Sequence, residues 1–523
     1  MTYIHLSEIQ SRSKIITARE LTIQFDEKPV KYYRHGWQSW SLAAWTDPTP
    51  IPVQMPAIFH PLQVDAQHVY KKYLNGSWLG AVEFADGNIL LLGALATDAH
   101  VHLIENQLSG HGEAGEIEWF IAYGQENLVF AEYAQQLGNR LAPDGNTIKS
   151  SAPRVWCSWY SLYYEIDEPI LHKVFNELGD MPFDVLQIDD GWQVDVGDWE
   201  VNKKFPSGMI ALADKIKSTG RRAGLWLAPL IATKSSKLFR EHNDWFLRDE
   251  TGRLVSAGFN WGERLYALDT THPAVTLWLS ALMKQVRAWG FDYLKLDFLY
   301  AGALKGKRYK DMPREAAYRE SLGVMRKAMG ADAFFLTCGT PIIPAIGLCD
   351  AIRIGPDVSY FWEAYRDAHL LYNPTIPGTR NAIRTTLHRL WLKPLLHIDP
   401  DVAYFESKEN QLSHDERILL RDLVQICEFK ATSDLPQWLS KGEFEELRSF
   451  LDMKPIIKQT ERYIFHIDGR RVDFTSAVSL PKVPKGLTAL WGKCVGWLGD
   501  RYFILRLYKV LNLGKLRKRR SNL

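Results

Sequence analysis

Tyr293-Leu294-Lys295-Leu296-Asp297-Phe298 is the stretch that decides the reading of this 523-residue chain. Side chains alternate along a strand, so Lys295 and Asp297 share one face while Leu294, Leu296 and Phe298 take the other. A lysine inside such a strand loses hydration and needs anionic or hydroxyl partners. A buried ion pair that merely holds the strand is the plain alternative. Arg353-Ile354-Gly355-Pro356-Asp357 repeats the arrangement, again with a cation before an aspartate on one face. Two such strands favour chemistry over a single structural pair.

Working outward, short apolar strands alternate with amphipathic helices from residue 150 to about residue 440, the pattern of a parallel sheet. The strands are predicted at Val155–Tyr160, Val185–Asp190, Ala223–Pro229, Tyr293–Phe298, Ala333–Cys338, Ala351–Gly355, Leu395–Ile398 and Ile426–Thr432. Eight βα units of this size suit a (β/α)₈ barrel. Residues 1–149 read as strands and turns, hence an N-terminal β-sandwich. Asp86-Gly87 marks a hairpin between Trp78–Phe84 and Ile89–Leu92, a helix follows at Glu126–Leu141, and Ala142–Asn146 form a turn-rich linker. Residues 441–523 are expected to form a small β-rich domain. The chain is therefore predicted to be a multidomain α/β protein around a central (β/α)₈ TIM barrel.

Bulk composition narrows the function classes. Hydrophobic residues make up 46% and charged residues 24%, and the formal net charge is +2, which gives no reason to expect nucleic acid or an anionic membrane as partner. Nineteen tryptophans fit a protein core, and they also fit platforms for the C–H faces of sugars. The five cysteines, Cys157, Cys338, Cys349, Cys427 and Cys494, are odd in number and form no C-x-x-C. With no secretory signal and no membrane-spanning apolar run, a cytoplasmic location is expected.

Polar residues gather where the predicted strands end, and the C-terminal face of such barrels carries the active site. Strand two ends Gln187-Ile188-Asp189-Asp190-Gly191-Trp192, strand three carries Trp226, strand five ends Thr337-Cys338-Gly339 and strand six runs to Asp357. Adjacent Asp189 and Asp190 cannot both point inward from an ideal strand, but a turning backbone lets both converge on vicinal hydroxyls. Capping of a helix N-terminus is the alternative role for Asp190. No P-loop, H-E-x-x-H or G-x-S-x-G motif occurs, and the histidines are scattered, His388 and His397 reading as ordinary helix and strand residues. Two carboxylates across a sugar site can supply a nucleophile and a general acid, so a glycosidase without metal or other cofactor is expected.

Six ordered pieces carry a family resemblance: Trp37-Gln38-Ser39-Trp40, Trp156-Cys157-Ser158-Trp159-Tyr160, Ile188-Asp189-Asp190, Gly197-Asp198-Trp199, Lys295-Leu296-Asp297-Phe298-Leu299-Tyr300-Ala301-Gly302-Ala303 and Arg353-Ile354-Gly355-Pro356-Asp357. Together they resemble glycoside hydrolase family 36, the microbial α-galactosidases. The resemblance implies a retaining enzyme with Asp297 as nucleophile and Asp357 as acid/base. It implies that Asp189 and Asp190 bind O4 and O6 of galactose, that Lys295 reaches O3 and O4, and that Arg353 and Cys338 lie near O2. Trp226 and Tyr160 would line the pocket, and Trp40 would reach over from the N-terminal domain, across a subunit contact in oligomeric relatives. The implied partner is a galactose-containing oligosaccharide, with a homo-oligomer as the implied assembly. An α-N-acetylgalactosaminidase, a galactosyl transferase of the raffinose-synthase kind and a non-catalytic sugar-binding protein are the alternatives. Two features depart from the family pattern: Ile398-Asp399-Pro400-Asp401 stands where Asn-Asp-Pro-Asp is expected, and the chain ends in a basic run, Lys515 to Arg520. Lys295 is expected to keep Asp297 ionised, with Asp357 starting protonated.

Overall fold

The computed structural model describes residues 2–9, 13–49, 56–65, 68, 73–142, 151–364, 369 and 372–499. Its centre is a ring of parallel strands: β1 (Val155–Cys157), β2 (Val185–Ile188), β3 (Arg222–Leu227), β4 (Tyr293–Leu296), β5 (Phe334–Thr337), β6 (Ala351–Arg353), β7 in two pieces (His397–Asp399 and Val402–Ala403) and β8 (Ala431–Thr432). Neighbours pair in parallel register, for example Trp226 with Lys295 and Arg353 with Asp399. The first piece of β7 pairs with β6 and the second with β8, which itself pairs with β1. The ring therefore closes through the Pro400-Asp401 turn, where Asp401 adopts φ 85°. Strands buried on both faces need apolar side chains throughout, as Tyr293, Leu294 and Leu296 of β4 supply.

Five of the eight predicted strands, the first four and the sixth, run two or three residues too far at their C-terminal ends. Ser158, Asp189, Asp190, Asp297, Cys338 and Asp357 lie just past the last paired residue, where the backbone turns away. The largest difference is at β8. Ile426 and Cys427 belong to the last turn of helix His414–Cys427, and the strand begins only at Ala431. A Ser413/Glu416 capping box starts this helix and Glu428 in the left-handed region ends it, so helical capping rather than apolar content sets the boundary.

Ahead of the barrel, two sheets face one another, with the Trp119 ring of one seated over Gly110 of the other. The hairpin at Asp86-Gly87 pairs Leu79 with Gly93 and Glu83 with Ile89, and Gly87 takes φ 82°. Helix Glu126–Leu141 lies against the six-stranded sheet through Tyr133, whose hydroxyl donates to the Ala94 carbonyl at 2.8 Å. A G-x-G-x-x-G spacing occurs at Gly110 to Gly115. It sits on the strand Gln107–Gly112 and the turn after it rather than at a strand–helix junction, so it lacks the helix N-terminus that a phosphate cradle uses.

Beyond the barrel the β-rich expectation is corrected. Strands Ile457–Glu461, Ile464–Ile467 and Arg470–Asp473 form one small antiparallel sheet, flanked by helices Lys441–Asp452 and Gly486–Gly499. A second Ser-x-x-Glu capping box, Ser440 with Glu443, explains the first of these helices. The basic run Lys515 to Arg520 and residues 143–146 of the linker lie outside the described residues. Among the described residues no helix is long and apolar enough to cross a membrane.

Candidate active site

The strand ends bring the sequence-predicted residues to one mouth of the barrel in three connected groups. The first centres on Asp189. Its Oδ2 accepts from Lys295 Nζ at 2.8 Å, from Gln187 Nε2 at 2.7 Å and from the Cys157 thiol at 3.6 Å. Burial alone would discharge Lys295, but Asp189 beside it pushes the ammonium well above its ordinary range. Asp190 points elsewhere: Oδ1 accepts from Gln193 Nε2 at 2.6 Å and Oδ2 from Trp261 Nε1 at 2.7 Å. Gly191 continues the turn at φ 119°, and a Cβ there would stand 2.7 Å from the Tyr164 carbonyl oxygen, so the turn that separates the two carboxylates needs glycine. Asp190 caps no helix, since a turn and the strand Gln193–Asp195 follow it. Burial raises its pKa against the pull of its two donors.

Asp297 forms the second group. Its Oδ2 accepts from Trp226 Nε1 at 3.0 Å and its Oδ1 from the Phe298 amide at 2.8 Å. Phe298 sits in the left-handed region at φ 55°, which is strained for a bulky residue and turns the chain into the 3₁₀ segment Leu299–Ala303. Burial outweighs Lys295 here, although the lysine favours the Asp297 charge, as expected. Burial pushes Asp297 up, and Lys295 and Trp226 only partly offset it. The lysine's direct hydrogen bond goes to Asp189.

Arg353 organises the third group. It is 1% exposed, and its Nη2 donates to Asp357 Oδ1 at 2.9 Å and to the Tyr160 hydroxyl at 3.2 Å, with Asp401 as a further ion-pair partner. The Tyr160 hydroxyl also donates to Asp401. Asp357 is the open member, its side chain 37% exposed. The Val358 amide donates to Asp401 at 2.8 Å, and burial pushes the Asp401 carboxyl up to about 7 despite the neighbouring guanidinium. Asp357 stands near enough to Asp297 that its charge disfavours ionisation of Asp297. Cys338 is buried between the groups, and both burial and Asp297 raise its thiol well above the ordinary range.

Trp40 completes the mouth, its ring in edge contact with Phe298 at 5.2 Å and Tyr300 at 6.0 Å. It arrives from the N-terminal part of the same chain. The Ser39 amide donates to the Thr340 carbonyl at 2.9 Å, and buried Arg389 donates to the carbonyls of Gly36, Gln38, Ser39 and Ile354. Ordinary sequence reasoning missed Trp261, Gln193, Asp401 and Arg389. For Asp401 the signal was present in Asp399-Pro400-Asp401. For Trp261 there was none, because it sits in a hairpin turn between Ser256–Asn260 and Glu263–Ala267. His388 ends helix Thr379–Leu387 and His397 opens β7, both away from this mouth.

The family described as Melibiase matches residues 118–331. The structure superposes on an α-galactosidase from Thermus thermophilus, solved with p-nitrophenyl α-D-galactopyranoside, with a TM-score of 0.84 and 43% identity over 88% of this chain and 94% of that one. The chain belongs to glycoside hydrolase family 36. The same Thermus enzyme solved with stachyose gives a TM-score of 0.79 at 45% identity over 84% and 93% of the two chains. Two curated relatives of the family are longer. The α-galactosidase AgaA of Geobacillus stearothermophilus is 26% identical over 184 residues, 32% of this chain and 24% of its own length. An A-type blood α-D-galactosamine galactosaminidase of Flavonifractor plautii is 27% identical over 251 residues, 42% of this chain and 23% of its own length. The matched part thus spans about a quarter of each of those two proteins.

Proposed function

We propose that this chain is a retaining α-galactosidase that removes terminal α-linked galactose from oligosaccharides. The observation that carries the proposal is the grouping of Asp297, held by Trp226, opposite Asp357, held by Arg353, beside the paired acceptors Asp189 and Asp190. In this reading Asp297 attacks the anomeric carbon, Asp357 protonates the leaving oxygen and then activates water, and the configuration is retained. Asp189, with Lys295, receives the O3 and O4 side of galactose, and Asp190, gripped by Gln193 and Trp261, receives O6. Arg353 and Cys338 face O2, while Trp226, Tyr160 and Trp40 wall the pocket. Ordinary galactosides are favoured as substrates by the Thermus enzyme's complexes with p-nitrophenyl galactoside and stachyose.

The similarity to the galactosaminidase supports a second reading, in which the O2 side beside Cys338 admits an amino or acetamido group. Parallel assays with p-nitrophenyl α-galactoside and its N-acetylgalactosamine counterpart separate the two. Turnover of the galactoside alone is expected, and turnover of only the acetamido sugar would overturn the assignment. In the same reading the chain divides into an N-terminal sandwich at 1–149, the barrel at 150–440 and a C-terminal part at 441–523. All five cysteines are unpaired, four of them buried, which suits a reducing compartment such as the cytoplasm.

A further inference from the structure

The histidines that looked scattered in the sequence converge on the outer face of the N-terminal five-stranded sheet. His100 and His102 sit two apart on strand Ala99–Ile104, so both leave the same face, and His111 lies directly opposite His100 on strand Gln107–Gly112. Val101, Leu103 and Leu108 fill the opposite, core-facing side. His68 is laid over this face from the preceding segment, its ring centroid 4.5 Å from that of His100. Glu113 follows the second strand and brings a carboxylate between them.

The distances inside this cluster do not suit hydrogen bonds. His68 Nε2 and His100 Nδ1 each stand 3.7 Å from Glu113 Oε1, beyond the usual range of roughly 2.7–3.2 Å. Both nitrogens are buried and without a hydrogen-bond partner. His68 Nε2 also stands 3.8 Å from Asp65 Oδ2. Buried imidazole nitrogens without a hydrogen bond are costly, and two beside a shared carboxylate call for a common partner. Two ligands each ~2.0–2.1 Å from a tetrahedral zinc ion stand roughly 3.3–3.4 Å apart, close to the spacing found here. One ligand atom from each of His68, His100 and Glu113 falls within 4.8 Å of the others.

We propose that His68, His100 and Glu113 form a structural site for a borderline divalent transition-metal ion of the zinc class. Two imidazoles and one carboxylate are the ligand types that zinc takes, with water in the remaining position. Arg314 lies 3.8 Å from Glu113 Oε1, yet its charge is directed to Asp65 at 2.7 Å and Glu315 at 2.9 Å. A surface cleft bordered by Glu20, His102 and His111 gives an ion access to the site. The site ties His68 to the sheet. Leu62, ahead of His68 in the chain, supports the Trp40 loop, since its carbonyl accepts from Gln38 Nε2 at 2.5 Å. None of the three ligands reaches the barrel mouth, so the ion steadies the fold and takes no part in glycoside cleavage.

The test uses the full chain stripped with chelator, then titrated with zinc by calorimetry and with cobalt by visible absorption. One zinc per chain is expected, with a Kd of about 1 μM or tighter, a cobalt band of four-coordinate intensity and a raised melting temperature. His100→Ala and Glu113→Gln should each weaken zinc binding by about tenfold or more and remove the cobalt band. Glycosidase turnover by the stripped protein should match the untreated enzyme. His68→Gln, outside the sheet strands, serves as the ligand variant if the strand variants do not fold. Absence of saturable binding, or equal binding by wild type and the ligand variants, overturns the site.

Discussion

Lys295 Nζ lies 2.8 Å from Asp189 Oδ2, so the only lysine in β4 is bonded to the carboxylate at the end of β2, one strand beyond the adjacent β3, not to Asp297 two residues along. Both partners are almost fully buried, and removing one from such a pair leaves the other's charge without compensation. Lys295→Met is expected to cost about 3–5 kcal/mol of folding stability and to abolish turnover. Adding Asp189→Asn to the same protein should restore much of the stability and none of the activity. Chemical denaturation beside kcat/KM measures both, and a stable, active Lys295→Met enzyme would show the pair to be dispensable.

Asp190 is held by two side chains that come from outside the barrel strands. Gln193 and Trp261 fix its carboxylate without neutralising it, leaving its remaining lone pairs for a sugar hydroxyl. Asp190→Ala should lower kcat/KM by about 10²–10⁴ with a native melting curve, because a site built to bond a hydroxyl loses its partner group. Trp261→Phe removes only the indole donor and should cost about tenfold, expressed mainly in KM. Near-normal activity in Asp190→Ala would assign the residue to local structure instead.

Arg389 bridges the N-terminal loop to the barrel through four carbonyl acceptors and is fully buried. Arg389→Ala leaves those carbonyls unsatisfied and should cost about 3 kcal/mol or more. Because the loop places Trp40 over the mouth, KM should rise in step with the loss of stability. Since Trp40 arrives within one chain, the activity per molecule of wild type should not change on dilution to concentrations that separate any oligomer. A specific activity that falls with dilution would return Trp40 to a subunit contact.

Asp401 gives a pH signature. Its carboxyl titrates at about 7 in the fold against 3.8 ordinarily. Below the lower value both folded and unfolded chains hold the proton. Between the two values only the folded chain holds it, so this group's contribution to stability falls as pH rises and is fully lost above about 7. Asp401→Asn mimics the protonated form and removes that slope. The melting temperature of the variant relative to wild type should therefore be more favourable at pH 8 than at pH 5. A difference that stays flat across this range would show that Asp401 does not titrate there.

How much was legible follows from which residues alternate on a strand and which do not. Lys295, Asp297, Arg353 and Asp357 were visible because period two and strand ends place them without knowledge of the rest of the chain. The Asp86-Gly87 hairpin and helix Glu126–Leu141 were visible because local turn chemistry and helical periodicity fix them. Trp261 and Arg389 were not, because their roles depend on loops meeting across the barrel mouth. The Lys295–Asp189 ion pair was not legible for a related reason: β2 and β4 are far apart in the sequence and only the folded sheet brings them together. The histidines failed the same way, since His68 meets His100 only through tertiary packing.

The mechanism itself yields the sharpest prediction. Asp297 and Asp357 must be unequal in their roles, and the structure surrounds them unequally. Asp297 is sealed in with Trp226, Lys295 and Cys338, whereas Asp357 is open to solvent and bonded to Arg353. A sealed carboxylate beside donors suits attack on the anomeric carbon, and an open one suits exchange of a proton with leaving group and water. For retention the two carboxyl groups should stand about 5–5.5 Å apart in a galactoside complex, rather than the ~6.5–9.5 Å that leaves room for an inverting water. Asp357→Ala should cost about 10²–10⁴ on substrates with poor leaving groups and much less in the first step with aryl galactosides, which need little proton donation. Asp297→Ala should abolish turnover of both kinds, because no aryl leaving group replaces a nucleophile. Proton NMR of the first sugar released, before mutarotation, should show α-galactose. A β-galactose signal would remove Asp297 from the role of nucleophile and make it the base for a direct attack by water.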